Sequence, residues 1–214
     1  LWTTGNVQKD NTSEFWHIGV LSICSSEYNY ILGATPVQKK SNRSDTLRRM
    51  LQWFRQLTDY DVDRCYLDSE FFERAAFEAC RDFNVDAMIQ AKPVGDVGDL
   101  VDGVDQGGYD SASNVDFSSL TPRPNAFVAP VNPEETGAEK QDSHTAWITD
   151  LDVTERDLRG LAYQYRYRWR IETAINQLKN TFLGRCKSSQ REVRTLYFGA
   201  AQLFFNFWVA LQSD

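Results

Sequence analysis

The chain has 214 residues, 42% of them apolar, enough for one large or two small domains with a true hydrophobic core. Its 30 acidic and 23 basic side chains leave a net charge of -7, and no uninterrupted apolar run reaches the ~18 residues of a membrane span, so no membrane partner is expected. Cys24, Cys65, Cys80 and Cys186 have no CxxC spacing and only His17 and His144 for company, which predicts buried free thiols rather than a zinc site or a disulfide framework.

The opening "LWTTGNVQKDNTSEF" has neither the basic start nor the apolar core of a signal peptide and lacks an initiator methionine, so the chain is expected to be a fragment. By count there are 19 Asp against 11 Glu and 16 Arg against 7 Lys, a halophile-like balance that suits a high-salt cytoplasm. The charge is uneven. Pro93 to Asp157 holds 14 acidic and 3 basic residues, a net of -11, whereas Gly160 to Ala200 holds 8 basic and 2 acidic, a net of +6. A locally cationic segment in an acidic protein is what contact with a polyanion requires.

Hydrophobic period predicts two strands, "FWHIGVLSI" (Phe15 to Ile23) and "YNYILGATPV" (Tyr28 to Val37), joined by the turn "CSSE" as an antiparallel hairpin. Ser44 is expected to cap a helix "DTLRRMLQWFRQL", whose Leu47, Met50, Leu51, Phe54 and Leu57 recur at three- and four-residue steps. "RCYLD" reads as a strand ending in Asp68, "SEFFERAAFEACRDF" as a helix through Phe72, Ala76, Phe77 and Cys80, and "VDAMIQA" as another strand. From Lys92 to Asp142 the pattern dissolves into Gly, Asp, Ser and Pro, an acidic insertion with one strand-like stretch at "NAFVAPV". "TAWITDLDV" predicts a strand, and "TERD" a threonine cap opening one long helix to Phe182. A last helix spans about Arg191 to Gln212. Its stretch "YFGAAQLFFNFWVALQ" is apolar but interrupted by polar residues, as in a buried helix. The expected division is residues 1–91, an insertion at 92–145, and 146–214, with no internal repeat.

On an unbroken helix turning about 100° per residue, Tyr165, Arg168, Glu172 and Lys179 fall along one stripe beside an apolar row of Ile171, Ile175, Leu178 and Phe182. On geometry alone the simpler account is an intrahelical Arg168–Glu172 ion pair worth a few tenths of a kcal/mol. The alternative is a site at the edge of the core. Arg166 and Arg170 lie off the stripe, as solvated arginines or as further backbone contacts. Asp61 and Asp63 read as turn residues, His17 as a packed strand residue and His144 as loop.

The spacing Tyr165-x2-Arg168-x3-Glu172-x6-Lys179 resembles the YREK signature of cut-and-paste insertion-sequence transposases of the DDE superfamily. "YRYRWRIET" is similar to that family's wording around its catalytic glutamate, and "YLDSEFF" to its second-aspartate motif. The resemblance implies an α/β fold, a ribonuclease-H-like mixed sheet flanked by helices. The sheet would lack its first strand and carry an insertion before the helix bearing Glu172. It further implies Asp68 and Glu172 as catalytic metal ligands for Mg²⁺ or Mn²⁺, hard ions that favour carboxylate oxygen. Arg168, Lys179 and the Tyr165 hydroxyl would contact DNA phosphates. The implied activity is metal-dependent DNA cleavage and strand transfer at transposon ends. It would be performed by a homodimer on double-stranded DNA in the nucleoid-bearing cytoplasm.

The sequence departs from the family pattern in three ways. The family's first catalytic aspartate is expected upstream of Leu1, with Asp10 as the one nearby acid; the N-terminal DNA-binding region has no counterpart; and Asp150 stands in "ITDL" where Asn is expected. These leave open a catalytically inactive remnant acting as a DNA-binding module, or a stand-alone metal nuclease of the same fold. Tyr109, Phe127 and Trp147 are read either as core or as rings that stack on an extruded base.

Overall fold

The computed structural model describes residues 2–3, 15–16, 18–24, 27–37, 43–105, 107–131, 144–153 and 157–212. In chain order the elements are strands β1 (Trp2–Thr3), β2 (Phe15–Trp16), β3 (Ile18–Cys24) and β4 (Asn29–Pro36), helix α1 (Arg43–Leu57), and strand β5 (Arg64–Leu67). A 3-10 turn (Ser69–Phe71) leads to α2 (Arg74–Arg81), β6 (Asp86–Gln90), α3 (Asp96–Gly103), β7 (Asp110–Ala112), β8 (Asn125–Pro130) and β9 (His144–Thr149). The chain ends with α4 (Leu158–Arg166), α5 (Trp169–Gln177), a π-helical turn (Leu178–Phe182) and α6 (Arg191–Gln212). No helix among the described residues is long and apolar enough to cross a membrane.

Several expectations need correcting. Ser44 lies inside the first turn of α1 and is fully buried, not poised as its cap. The helix expected from Ser69 breaks at Phe72, whose ring leaves the helical path to pack 4.7 Å from Phe117. The segment read as irregular holds α3. Its Gly98 and Gly103 lower helix propensity and hide it from a periodicity reading, but Asp96 and Asp99 complement the first-turn dipole and Val97 is buried. Gly98 has a local reason, since a Cβ there would meet the Pro93 backbone at 3.3 Å. His144 opens β9 instead of lying in a loop. The long helix to Phe182 is broken after Arg166, where the amides of Arg170 and Ile171 bond carbonyls only three residues back. No proline or glycine marks that break.

By contacts the chain forms two compact units, residues 1–50 with 167–214 and residues 51–166. In the first, β3 and β4 pair antiparallel with a register shift between Leu21 and Ser22, which leaves Leu32 as an extra residue. The backbone of Ile31 beside that bulge is satisfied by α6. Its amide donates to Asn206 Oδ1 at 3.0 Å, and its carbonyl accepts from Asn206 Nδ2 at 2.8 Å and Gln202 Nε2 at 2.9 Å. The two polar residues that interrupt the apolar helix therefore read a strand edge. Around them Ile31, Ala174, Leu178, Phe198, Ala201, Phe205 and Val209 form the core. At Gly19 a Cβ would press within 3.2 Å of Met50 Cε and 3.3 Å of Thr46 Cγ2, so its absence lets β3 lie close on α1.

The second unit is built on a five-stranded mixed sheet ordered β5-β6-β9-β8-β7, with β5 and β6 parallel and the other pairs antiparallel. Strands β6, β8 and β9 are buried along nearly their whole length, as strands covered on both faces must be. One face packs Met88, Phe127 and Trp147 against Leu161, Ala162 and Tyr165 of α4. Asn84, at φ 55°, takes the left-handed conformation that ends α2, and the Val85 amide bonds the Cys80 carbonyl across it. Cys65 and Cys80 are buried free thiols as expected, and Cys186 is free and half-buried.

Candidate active site

Asp68 follows β5, at the carboxyl end of a strand in a parallel pair, the position where α/β sheets hold ligands. Its backbone stays extended at φ -77° and ψ 175°, which aims the side chain over the next turn. There Oδ1 accepts the Glu70 amide at 2.9 Å, and the Asp68 carbonyl accepts the Phe71 amide at 3.0 Å. The carboxylate remains half-exposed, so capping does not bury it.

Tyr165 is only 3% exposed, and its hydroxyl donates to the Leu67 carbonyl at 2.6 Å. Where the resemblance implies a phosphate contact, the hydroxyl here is engaged inside the residue 51–166 unit. The stripe that joined it to Arg168, Glu172 and Lys179 presumed one unbroken helix, and the tightening after Arg166 interrupts it.

Glu172 sits in the first turn of α5, where the helix dipole favours an acid, with its side chain 49% exposed. Arg168 Nη1 lies 3.3 Å from its Oε1, the expected ion pair, and the guanidinium also lies 5.4 Å from the Trp169 ring centre. Arg170 lies over the Tyr167 ring at 5.5 Å. Lys179 is exposed on the π-helical turn, which the Leu183 amide closes on the Leu178 carbonyl five residues back. Tyr165 is thus brought to the backbone entering Asp68, and Arg168 to Glu172. Asp68 and Glu172 belong to different units.

Among the described residues no three His, Cys, Asp or Glu side chains converge as a metal-binding group. The donor chemistry of the two expected ligands still suits Mg²⁺ or Mn²⁺, because both are half-exposed carboxylates held by short local contacts. Asp61 and Asp63 are exposed in the segment before β5, which has no assigned turn. Asp10 and His17, like the expected threonine cap at Thr154, lie outside the described residues. Phe127 and Trp147 are core, stacked at 5.0 Å, while Tyr109 is exposed. Tyr109 shares a cleft of about 630 Å³ with Arg159, Tyr163 and Arg166 of α4, residues at four- and three-residue steps that sequence reading did not group.

Asp150, the departure from the expected Asn, has a structural role. Its Oδ1 accepts Arg81 Nε at 3.0 Å and Nη2 at 2.6 Å, and its Oδ2 accepts the Ala87 amide at 3.3 Å. Burial raises its carboxyl above the usual 3.8, while the Arg81 hydrogen bond and charge pull it back. A carboxyl raised in the folded state contributes most stability below its unfolded value and loses that contribution as pH rises through the folded value. Asp150→Asn removes the titration. Melting of variant and parent by circular dichroism should therefore show the difference moving in the variant's favour as pH rises from about 4. A pH-independent difference contradicts the assignment.

Residues 7–207 match the family model described as the transposase DDE domain, a span that includes Asp68, Tyr165, Arg168, Glu172 and Lys179. Among curated proteins no match to the chain is found. The mixed α/β architecture agrees with such a domain, and the match runs through both units. The chain belongs to the transposase DDE domain family.

Proposed function

We propose that this transposase domain, of the YREK subgroup, cuts DNA at the ends of a mobile element and joins those ends to target DNA, using Mg²⁺ or Mn²⁺ held by Asp68 and Glu172. One observation carries the reading. The family match covers 7–207, and within it both acids are half-exposed, one at a strand end and one beside an arginine. Divalent ions held by carboxylates activate a water or hydroxyl nucleophile and stabilise the leaving oxygen of a phosphodiester. Asp68 presents a carboxylate whose rotamer is held by the Glu70 amide. Glu172 is oriented by Arg168, whose Nη1 lies 3.3 Å from its Oε1. Arg168 and Lys179 contact backbone phosphates beside the scissile bond, in line with the cationic stretch from Gly160 to Ala200. The protein acts as a homodimer on paired ends, in the cytoplasm with the nucleoid.

The test is an assay of the purified chain on labelled element-end duplex with Mn²⁺, scored for cut and joined products. Joined products support the reading. Cleavage without joining identifies a metal nuclease of the same fold. No cleavage, with no Mn²⁺ heat in calorimetry, identifies a DNA-binding module.

Lys179 is the cleaner probe of phosphate contact, since it is exposed and its truncation removes little packing, whereas Arg168 is only 11% exposed. Lys179→Ala should weaken duplex binding and make the slope of log affinity against log salt shallower by about 0.9, one phosphate contact's worth. Fluorescence anisotropy between low and moderate salt reads the slope, and an unchanged slope removes Lys179 from the interface.

A further inference from the structure

The geometry points to Tyr165 as a positioning residue that fixes the peptide entering Asp68, in place of the phosphate contact its place in the signature implies. The inference rests on the reading of Asp68 as a metal ligand. Its structural half stands on contacts within residues 51–166 alone.

Beyond the ladder in which Leu67 pairs with Ile89 of β6, three bonds hold Asp68. The peptide before it is pinned by the Tyr165 hydroxyl on the Leu67 carbonyl at 2.6 Å, and the peptide after it by the Phe71 amide on the Asp68 carbonyl at 3.0 Å. The side chain is held by the Glu70 amide on Oδ1 at 2.9 Å. The last two come from the turn that Asp68 itself opens. The first ties it to α4, across the unit from the pairing of Leu67 with Ile89 of β6, the one strand that neighbours β5 among the described residues.

The tyrosine is itself held from both sides. Its ring meets Tyr66 edge-on at 6.1 Å and 75°, and Trp147 at 5.5 Å and 64°. One residue earlier on α4, Gln164 Oε1 accepts from Arg64 Nη1 at 2.8 Å, which fastens the same helix to the start of β5. To reach a phosphate, the hydroxyl would have to leave a site where its residue is 3% exposed and give up its bond to the Leu67 carbonyl. A buried hydroxyl with a short bond to backbone orients; it does not sample solvent for a ligand.

Tyr165→Phe deletes the hydroxyl and keeps the ring. Trp147→Phe disturbs the same aromatic cluster but leaves the Leu67 bond intact, so it controls for general loosening. Native-state amide exchange of Glu70 and Phe71 is the first readout. It should quicken about fivefold in Tyr165→Phe, the loss of one ordinary hydrogen bond, and stay near parental in Trp147→Phe. Calorimetric titration of Mn²⁺ is the second, with affinity about fivefold weaker in Tyr165→Phe only. Duplex affinity and its salt slope should not change.

Unaltered exchange at Glu70 and Phe71 overturns the inference whether or not Mn²⁺ binds. A shallower salt slope with Mn²⁺ affinity intact also overturns it and returns Tyr165 to the phosphate. Faster exchange with no Mn²⁺ heat in the parent supports the tether and sinks the metal reading of Asp68, so the two failures are separable.

Discussion

Glu172→Gln is expected to lower metal-dependent cleavage of element-end DNA by about a thousandfold while leaving the fold intact. The change is isosteric and exchanges one carboxylate oxygen for an amide nitrogen. A divalent ion loses a charged ligand, and several kcal/mol of transition-state stabilisation corresponds to about three decades in rate. Stability should hardly move, because the 3.3 Å pair with Arg168 involves a side chain 49% exposed, and exposed pairs of this kind contribute under about 1 kcal/mol. Initial cleavage rates alongside a urea midpoint separate the two effects. A variant that cuts within tenfold of the parent removes Glu172 from the chemistry. Asp68→Asn makes a matched comparison, since Asn Oδ1 still accepts the Glu70 amide and the cap survives.

Phe127→Ala is expected to have the largest effect on stability, about 3–5 kcal/mol. The ring is fully buried, stacks on Trp147 at 5.0 Å, and belongs to the cluster that joins the sheet to α4. Its truncation opens a cavity between strands paired on both sides, where the backbone has little room to collapse. The urea midpoint measures the loss, and a shift under 1 kcal/mol would mean that the cluster repacks. The same substitution tests the sequence-level alternative that Phe127 stacks on an extruded base. A core role predicts the full stability loss without DNA present.

Elements with a strong period were legible from composition and spacing alone. The β3–β4 hairpin, α1, β5, β6, β8, β9 and the span of α6 all follow from apolar residues recurring at two or at three and four positions. α3 was not legible, because its glycines carry no periodic signal and one buried valine suffices to seat it. Nor was the break after Arg166, since "YRYRWR" contains no residue that interrupts a helix locally.

The candidate site divides along the same line. Sequence by itself determined which residue types stand at which spacing: an aspartate ending a strand, a glutamate four residues after an arginine, and a lysine beyond. These follow from chain order, and the transposase DDE family match spans all of them. Tertiary structure alone decided what each polar group bonds. Asn206 and Gln202 serve the Ile31 bulge, Asp150 serves Arg81, and the Tyr165 hydroxyl serves Leu67. The physical reason is that burial makes an unpaired donor or acceptor costly, and the partners here lie 69 to 175 residues away in sequence. No local pattern encodes a contact across that distance.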